Sequence, residues 1–202
     1  MRGYYFITDS GLSLSGNLFD VRSAVAAGVR VVQYRNKSNI TREMYEEALS
    51  LKRVCEGKAN FIINDRLDVA LAVGADGVHI GLEDMPYGEA RRLLGPDKII
   101  GVTVHDLEES LEAEAMGADY IGLSPIFATG TKGDAGAPCG TGLIAEVKKR
   151  CRVPLVAIGG IDLSNVDEVI AAGADMVCAI SAVVTKQDVA AAILKFQGRY
   201  GL

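Results

Sequence analysis

A small set of side chains has the types and spacing needed to handle a strongly anionic ligand. Arg35 and Lys37 alternate within Gln33-Tyr-Arg-Asn-Lys37, so an extended backbone puts both cations on one side. Two charges there could grip a pyrophosphate, and a pair of solvated surface cations is the alternative. Asp65 follows the apolar Phe61-Ile-Ile63 and Asn64, and Asp84 closes His79-Ile-Gly-Leu-Glu-Asp84. Divalent ions such as Mg²⁺ are held by one or two carboxylates together with substrate phosphates and water. Asp65 and Asp84 beside two cations therefore suit a Mg-pyrophosphate, while Asp65 alone would equally suit a helix N-cap. The two histidines, His79 and His105, both stand at ends of β-rich runs; each is either a core histidine or an acid-base group.

Further along, Ser124-Pro-Ile-Phe-Ala-Thr-Gly-Thr-Lys132 leads into the Gly-rich Gly133-Asp-Ala-Gly-Ala-Pro-Cys-Gly140. A long irregular loop with hydroxyls and a lysine reads as a lid over an active site. Ala157-Ile-Gly-Gly-Ile161 and Ala179-Ile-Ser181 offer paired glycines and a hydroxyl where backbone N–H groups could approach a phosphate closely. A Gly-Gly turn imposed by chain geometry alone is the competing explanation.

These residues need elements that bring them together. Four segments share one pattern: Ala26-Ala-Gly-Val-Arg-Val, Ala72-Val-Gly-Ala-Asp-Gly, Ala115-Met-Gly-Ala-Asp-Tyr and Ala171-Ala-Gly-Ala-Asp-Met. Each looks like a helix closed by glycine that passes directly into a buried strand. They lie about two βα units apart. The intervening strands are legible as Tyr4 to Thr8, Asn60 to Asn64, Lys98 to Thr103 and Val153 to Ile158. Helical patterns run over Thr41 to Glu56, Asp106 to Met116, Gly142 to Arg150, Ser164 to Ala172 and Lys186 to Phe196. Eight strands alternating with about eight helices in 202 residues favour an α/β fold, a (β/α)8 TIM barrel spanning 1–202 as a single domain, over an open sheet. In that fold the strand ends and the loops after them carry the chemistry.

Bulk properties agree. The chain is 49% hydrophobic and 23% charged, with a net charge of −5. That supplies a core and gives no basic surface for nucleic acid. Cys55, Cys139, Cys151 and Cys178 form no C-x-x-C pair and read as reduced thiols. No leader or membrane-length apolar run is visible, so the expected location is the cytoplasm.

Taken together, the strings resemble the thiamine phosphate synthase family. The matching segments are Gln33-Tyr-Arg-Asn-Lys37, Ile63-Asn-Asp-Arg66, Gly74-Ala-Asp-Gly-Val-His-Ile-Gly81 with Asp84, Gly101-Val-Thr-Val-His105, Ala118-Asp-Tyr-Ile-Gly122 with Pro125-Ile-Phe, Thr129-Gly-Thr-Lys132, and Ala157-Ile-Gly-Gly-Ile161. They follow family order over nearly the whole chain. The resemblance implies that Gln33, Tyr34, Arg35, Asn36, Lys37, Asn64 and Lys132 contact an aminopyrimidine diphosphate, with Thr103 near the pyrimidine. It implies Asp65 and Asp84 as ligands of one Mg²⁺ per subunit. Thr129, Gly130, Thr131, Gly160, Ile180 and Ser181 match positions that hold a thiazole phosphate.

The implied reaction is a dissociative transfer in which the pyrimidine methylene leaves diphosphate as a cation and the thiazole nitrogen captures it. Arg35, Lys37, Lys132 and Thr103 are then the catalytic candidates. The partners are small molecules; whether the thiazole is a 2-carboxy form and whether a homo-oligomer forms are left open. Asn36, Leu82 and Ser124 depart from the family's usual Glu, Gln and Gly. Two rivals are a thiazole tautomerase, for which His105 would be the acid or base, and a non-catalytic phosphate-binding barrel.

Overall fold

Runs such as Phe61-Ile62-Ile63 and Leu155-Val156-Ala157-Ile158 are apolar at every position, as strands covered on both faces must be. In the computed structural model of the chain, which describes residues 2–37, 40–130 and 136–202, such runs form eight parallel strands closed into a barrel in sequence order. These are β1 (Gly3–Ile7), β2 (Val31–Tyr34), β3 (Asn60–Asn64), β4 (Gly77–Ile80), β5 (Ile99–Val104), β6 (Tyr120–Leu123), β7 (Leu155–Ile158) and β8 (Met176–Cys178). Pairing of Gly3 with Met176 and Tyr4 with Val177 closes the ring. The outer layer consists of α1 (Asn17–Ala26), α2 (Thr41–Cys55), α3 (Leu67–Val73), α4 (Tyr87–Leu94), α5 (Leu107–Met116), α6 (Gly140–Arg150), α7 (Val166–Ala171), α8 (Ile180–Val184) and α9 (Val189–Arg199). The expected TIM barrel is the observed fold.

The repeated Gly-Ala-Asp segment has a structural role at the amino ends of the strands. Gly117 closes α5 in the left-handed region at φ 89°, its N–H returning to the carbonyls of the last turn, and the turn recurs after α3. The aspartate that follows joins three elements. Asp119 Oδ2 accepts from Ile100 N of β5 at 2.8 Å and from Arg91 Nη2 of α4 at 2.7 Å. Asp76 does the same with Phe61 N and Lys52, and Asp175 with Leu155 N and Lys148. Arg30 occupies the equivalent place in the first segment, which therefore lacks the clasp.

Boundaries moved where local chemistry decides them. β7 begins at Leu155 rather than Val153 because Pro154 has no N–H for the ladder; its carbonyl still accepts from Ile121 N at 2.9 Å. The expected last helix, Lys186 to Phe196, is α9, shifted by three residues. The short α8 before it was not expected, because Ala179-Ile-Ser-Ala-Val-Val184 is rich in β-branched residues and reads as more strand. The four cysteines form no disulfide, and three of them are buried. Among the described residues no helix is long and apolar enough to cross a membrane.

Candidate active site

β2 ends by presenting its side chains in two directions. Tyr34 points outward, donating to Glu47 Oε2 of α2 at 2.6 Å, and Asn36 Nδ2 donates to the Tyr34 hydroxyl at 2.9 Å. Gln33 lies 1% exposed in the barrel interior, its Nε2 donating to the Tyr5 hydroxyl at 2.9 Å. None of these three lines the cavity at the carboxyl end of the barrel, whereas Arg35 and Lys37 do. Thr8, fully buried at the end of β1, fixes the Arg35 backbone. Its hydroxyl accepts from Arg35 N at 2.9 Å and donates to Arg35 O at 3.2 Å. Asp9 Oδ2 lies 3.4 Å from Arg35 Nη1, holding the guanidinium over the rim.

The cavity, about 390 Å³, is also lined by Asn64, Asp65, Gly81, Asp84, Thr103 and His105. Pairing of Asn64 with His79 across β3 and β4 carries Asp65 past the end of the ladder, where its N–H donates to His79 O at 2.8 Å. Asp65 is the one non-glycine with positive φ, 62°, among the described residues. Asp and Asn tolerate that region better than other residues. It does not cap α3, whose N-cap position is Arg66, and no side chain caps that helix end. Lys37 Nζ reaches Asp65 Oδ2 at 3.1 Å.

Asp84 Oδ2 accepts from Gly81 N at 2.7 Å. Burial above all, and the adjacent Asp65 carboxylate, push the Asp84 carboxyl above the usual range, against the opposing pull of the Gly81 N–H and Lys37. The two carboxylates thus do face one another. Like charges this close disfavour each other's ionisation, and these two carboxylates are the residues that could hold a divalent ion. Among the described residues there is no group of three or more His, Cys, Asp or Glu that would form an all-protein metal site.

The two histidines have different surroundings. His79 is 4% exposed and bonded at both ring nitrogens, to Tyr120 Oη at 2.9 Å and Thr103 Oγ1 at 2.8 Å. His105 stands on the cavity wall with Nδ1 3.0 Å from Glu109 Oε2.

A second recess adjoins the first. Thr129, Gly159, Gly160, Ile180 and Ser181 line it, and Ser124 lines both. Chain geometry demands glycine here as well. At φ 64°, a Cβ on Gly160 would fall 2.5 Å from Ala128 O and 2.7 Å from Phe127 Cβ, and Gly159 O accepts from Phe127 N at 3.0 Å. The chain-geometry explanation of the Gly-Gly pair therefore holds, and the pair also lines the recess. Gly130 is exposed nearby; Thr131, Lys132 and the start of the Gly-rich loop lie outside the described residues. Thr8 and Asp9 brace Arg35, and Ser124 lines both recesses, placements that sequence reasoning did not assign. The only hint was their position immediately after strand-like runs.

This arrangement agrees with the comparisons to known proteins. The thiamine monophosphate synthase family profile matches residues 4–183. Thiamine-phosphate synthase of Methanosarcina barkeri (strain Fusaro / DSM 804) is 59% identical over 186 residues, 92% of this chain and 84% of that protein. The Methanosarcina mazei protein of the same name is 54% identical, over 92% of this chain and 78% of its own length. Among solved structures, thiamine phosphate pyrophosphorylase from Pyrococcus furiosus superposes with a TM-score of 0.89 at 39% identity, covering 98% of this chain and 95% of that one. With a closed barrel, paired carboxylates and cations at its rim and a match over most of its length, the chain belongs to the thiamine monophosphate synthase family.

Proposed function

We propose that this thiamine-phosphate synthase joins 4-amino-2-methyl-5-hydroxymethylpyrimidine diphosphate to a 4-methyl-5-hydroxyethylthiazole phosphate, giving thiamine phosphate and diphosphate. The observation that carries the reading is the pair of adjoining recesses that meet at Ser124. One has charged walls and is large enough for a substrate of this size. The other is walled by Gly159, Gly160 and Ser181, where barrels of this fold commonly hold phosphate.

The charges of the larger recess support a metal-diphosphate ligand. Arg35 and Lys37 are outnumbered there by Asp65, Glu83 and Asp84, so a bare diphosphate would meet net repulsion. Asp65 and Asp84 would hold one Mg²⁺, which when bound neutralises charge growing on the leaving diphosphate. Arg35, preset by Thr8 and Asp9, and Lys37, preset by Asp65, add fixed positive charge at the same oxygens. Lys132 is assigned to the same group by its family position.

The C–O bond to diphosphate breaks first and its electron pair leaves with the diphosphate. The thiazole nitrogen lone pair then forms the new C–N bond, and no proton has to be moved by the protein. Preorganised charges in a site closed to water favour such a step. An isomerase acting on the thiazole phosphate alone would need the glycine-walled recess and His105 but not the carboxylates.

Separate binding titrations test this reading. The thiazole phosphate should bind without Mg²⁺ and weaken in Ser181→Ala. The pyrimidine diphosphate should require Mg²⁺ and weaken in Asp84→Asn. Diphosphate binding indifferent to both Mg²⁺ and Asp84→Asn would contradict the assignment.

A further inference from the structure

Beneath the larger recess, five side chains from five strands form a file through the barrel. Gln33 Nε2 of β2 lies 2.9 Å from Tyr5 Oη of β1, and Tyr5 Oη 2.7 Å from Tyr120 Oη of β6. Tyr120 Oη is 2.9 Å from His79 Nδ1 of β4, and His79 Nε2 is 2.8 Å from Thr103 Oγ1 of β5. The first four side chains are at most 4% exposed, while Thr103 lines the recess. Space for the rings comes from Gly101 and Gly122. A Cβ on Gly101 would overlap the Tyr120 ring, and one on Gly122 would fall 3.1 Å from His79 Cε1.

The file has a direction. An amide –NH₂ only donates, so Tyr5 Oη accepts from Gln33 and its own hydrogen is left for Tyr120. Tyr120 Oη, having accepted, donates to His79 Nδ1. The ring's hydrogen is then on Nε2, directed at Thr103 Oγ1. Thr103, having accepted, keeps its own hydrogen for the recess.

We propose that Gln33, Tyr5, Tyr120 and His79 form a one-way hydrogen-bond relay that holds His79 as its Nε2–H tautomer and so presents Thr103 to the substrate as a donor. None of the four relay residues lines the recess; in this proposal they are positioning residues. The group they select is a hydrogen-bond acceptor such as a pyrimidine ring nitrogen, a choice that rests on the reading above. Gln33, expected at the substrate, is thereby placed at the head of the relay.

Long-range ¹H–¹⁵N correlation spectra of ¹⁵N-histidine protein without substrate test the direction. The chain has two histidines, and His79→Gln identifies the ring of interest by its loss. The relay requires protonated Nε2 and bare Nδ1. A ring protonated at Nδ1, alone or together with Nε2, would overturn it. In Tyr120→Phe the donor to Nδ1 is gone while the aromatic ring stays. His79 should then lose its single tautomer, and kcat/KM for the pyrimidine diphosphate should fall on the order of 10-fold or more, with KM for the thiazole phosphate unchanged. Unchanged kcat/KM with a changed tautomer would remove Thr103 from the argument. The tautomer is read with no substrate present, so a failure of the proposed reaction would leave that result standing.

Discussion

Asp65 combines a left-handed backbone, a 3.1 Å contact with Lys37 and a facing carboxylate, features a purely structural residue has no reason to accumulate. Asn tolerates the same backbone region, so Asp65→Asn isolates the charge. Together with Asp84→Asn it should leave the thermal midpoint nearly unchanged and lower kcat/KM at limiting Mg²⁺ by on the order of 10²-fold, as loss of a preorganised electrostatic group does. Near-normal turnover at limiting Mg²⁺ in both variants would remove the metal from these carboxylates. Asp20 shows the opposite situation, away from the site. It is fully buried on α1 with no well-formed hydrogen bond to either oxygen, though the Ser13 hydroxyl lies close, and Asn17 Oδ1 one turn earlier is likewise unsatisfied. Burial raises the Asp20 carboxyl, and the Ser13 hydroxyl offsets this only in part. With the folded pKa above the unfolded one, the native state loses stability as pH rises from the usual carboxylate range through the raised value. Asp20→Asn has no proton to lose and supplies a donor one turn from Asn17. It should be more stable than the parent at neutral pH by on the order of 1 kcal/mol, the gain shrinking as pH falls. Urea midpoints at several pH values check the slope.

At the scale of elements, the aspartate clasps and the strand ends divide the barrel into a stabilising face and a chemical face. Removing the clasp in Asp119→Ala or Asp175→Ala leaves a strand N–H without its acceptor and a cation without its carboxylate partner. Each should cost about 1.5–3 kcal/mol and lower the melting temperature by several degrees, with kcat unchanged; a parallel loss of kcat would mean the two faces are not independent. The Gly-Ala-Asp repeats, the strand runs and the residues just past them were readable because helix stops and buried strands have local signatures. Orientation within a strand was not. Gln33 and Tyr34 are neighbours in a run buried at every position, so no polar alternation shows that one faces Tyr5 inside and the other Glu47 outside. Tyr5 and Tyr120 likewise carry no local signal of a polar partner, and the need for Gly101 arises from the Tyr120 ring across the β5–β6 pair. That packing predicts that Gly101→Ala, a single added methyl, disrupts the barrel interior enough to lower soluble yield or melting temperature sharply, while Gly16→Ala, with nothing within 4 Å, stays soluble and folded despite backbone strain at φ 83°.

For the molecule as a whole, one closed barrel brings together residues from the ends of β1 to β8 that are far apart in sequence, and sets two recesses side by side around Ser124. The register that aligns Asn64 with His79 and Thr103 with Gly122 fixes Asp65, Asp84 and Thr103 around one volume. The turn after β7 and the start of α8 build the other. Two substrates meeting at one shared wall is the central claim, and product formation tests it most directly. Purified protein is incubated with both substrates, with and without Mg²⁺, while thiamine phosphate and diphosphate are quantified together. The account predicts equimolar formation of the two products, dependent on Mg²⁺ and abolished when either substrate is omitted. Conversion of a thiazole phosphate alone, or no thiamine phosphate when both substrates and Mg²⁺ are present with folded protein, would contradict it.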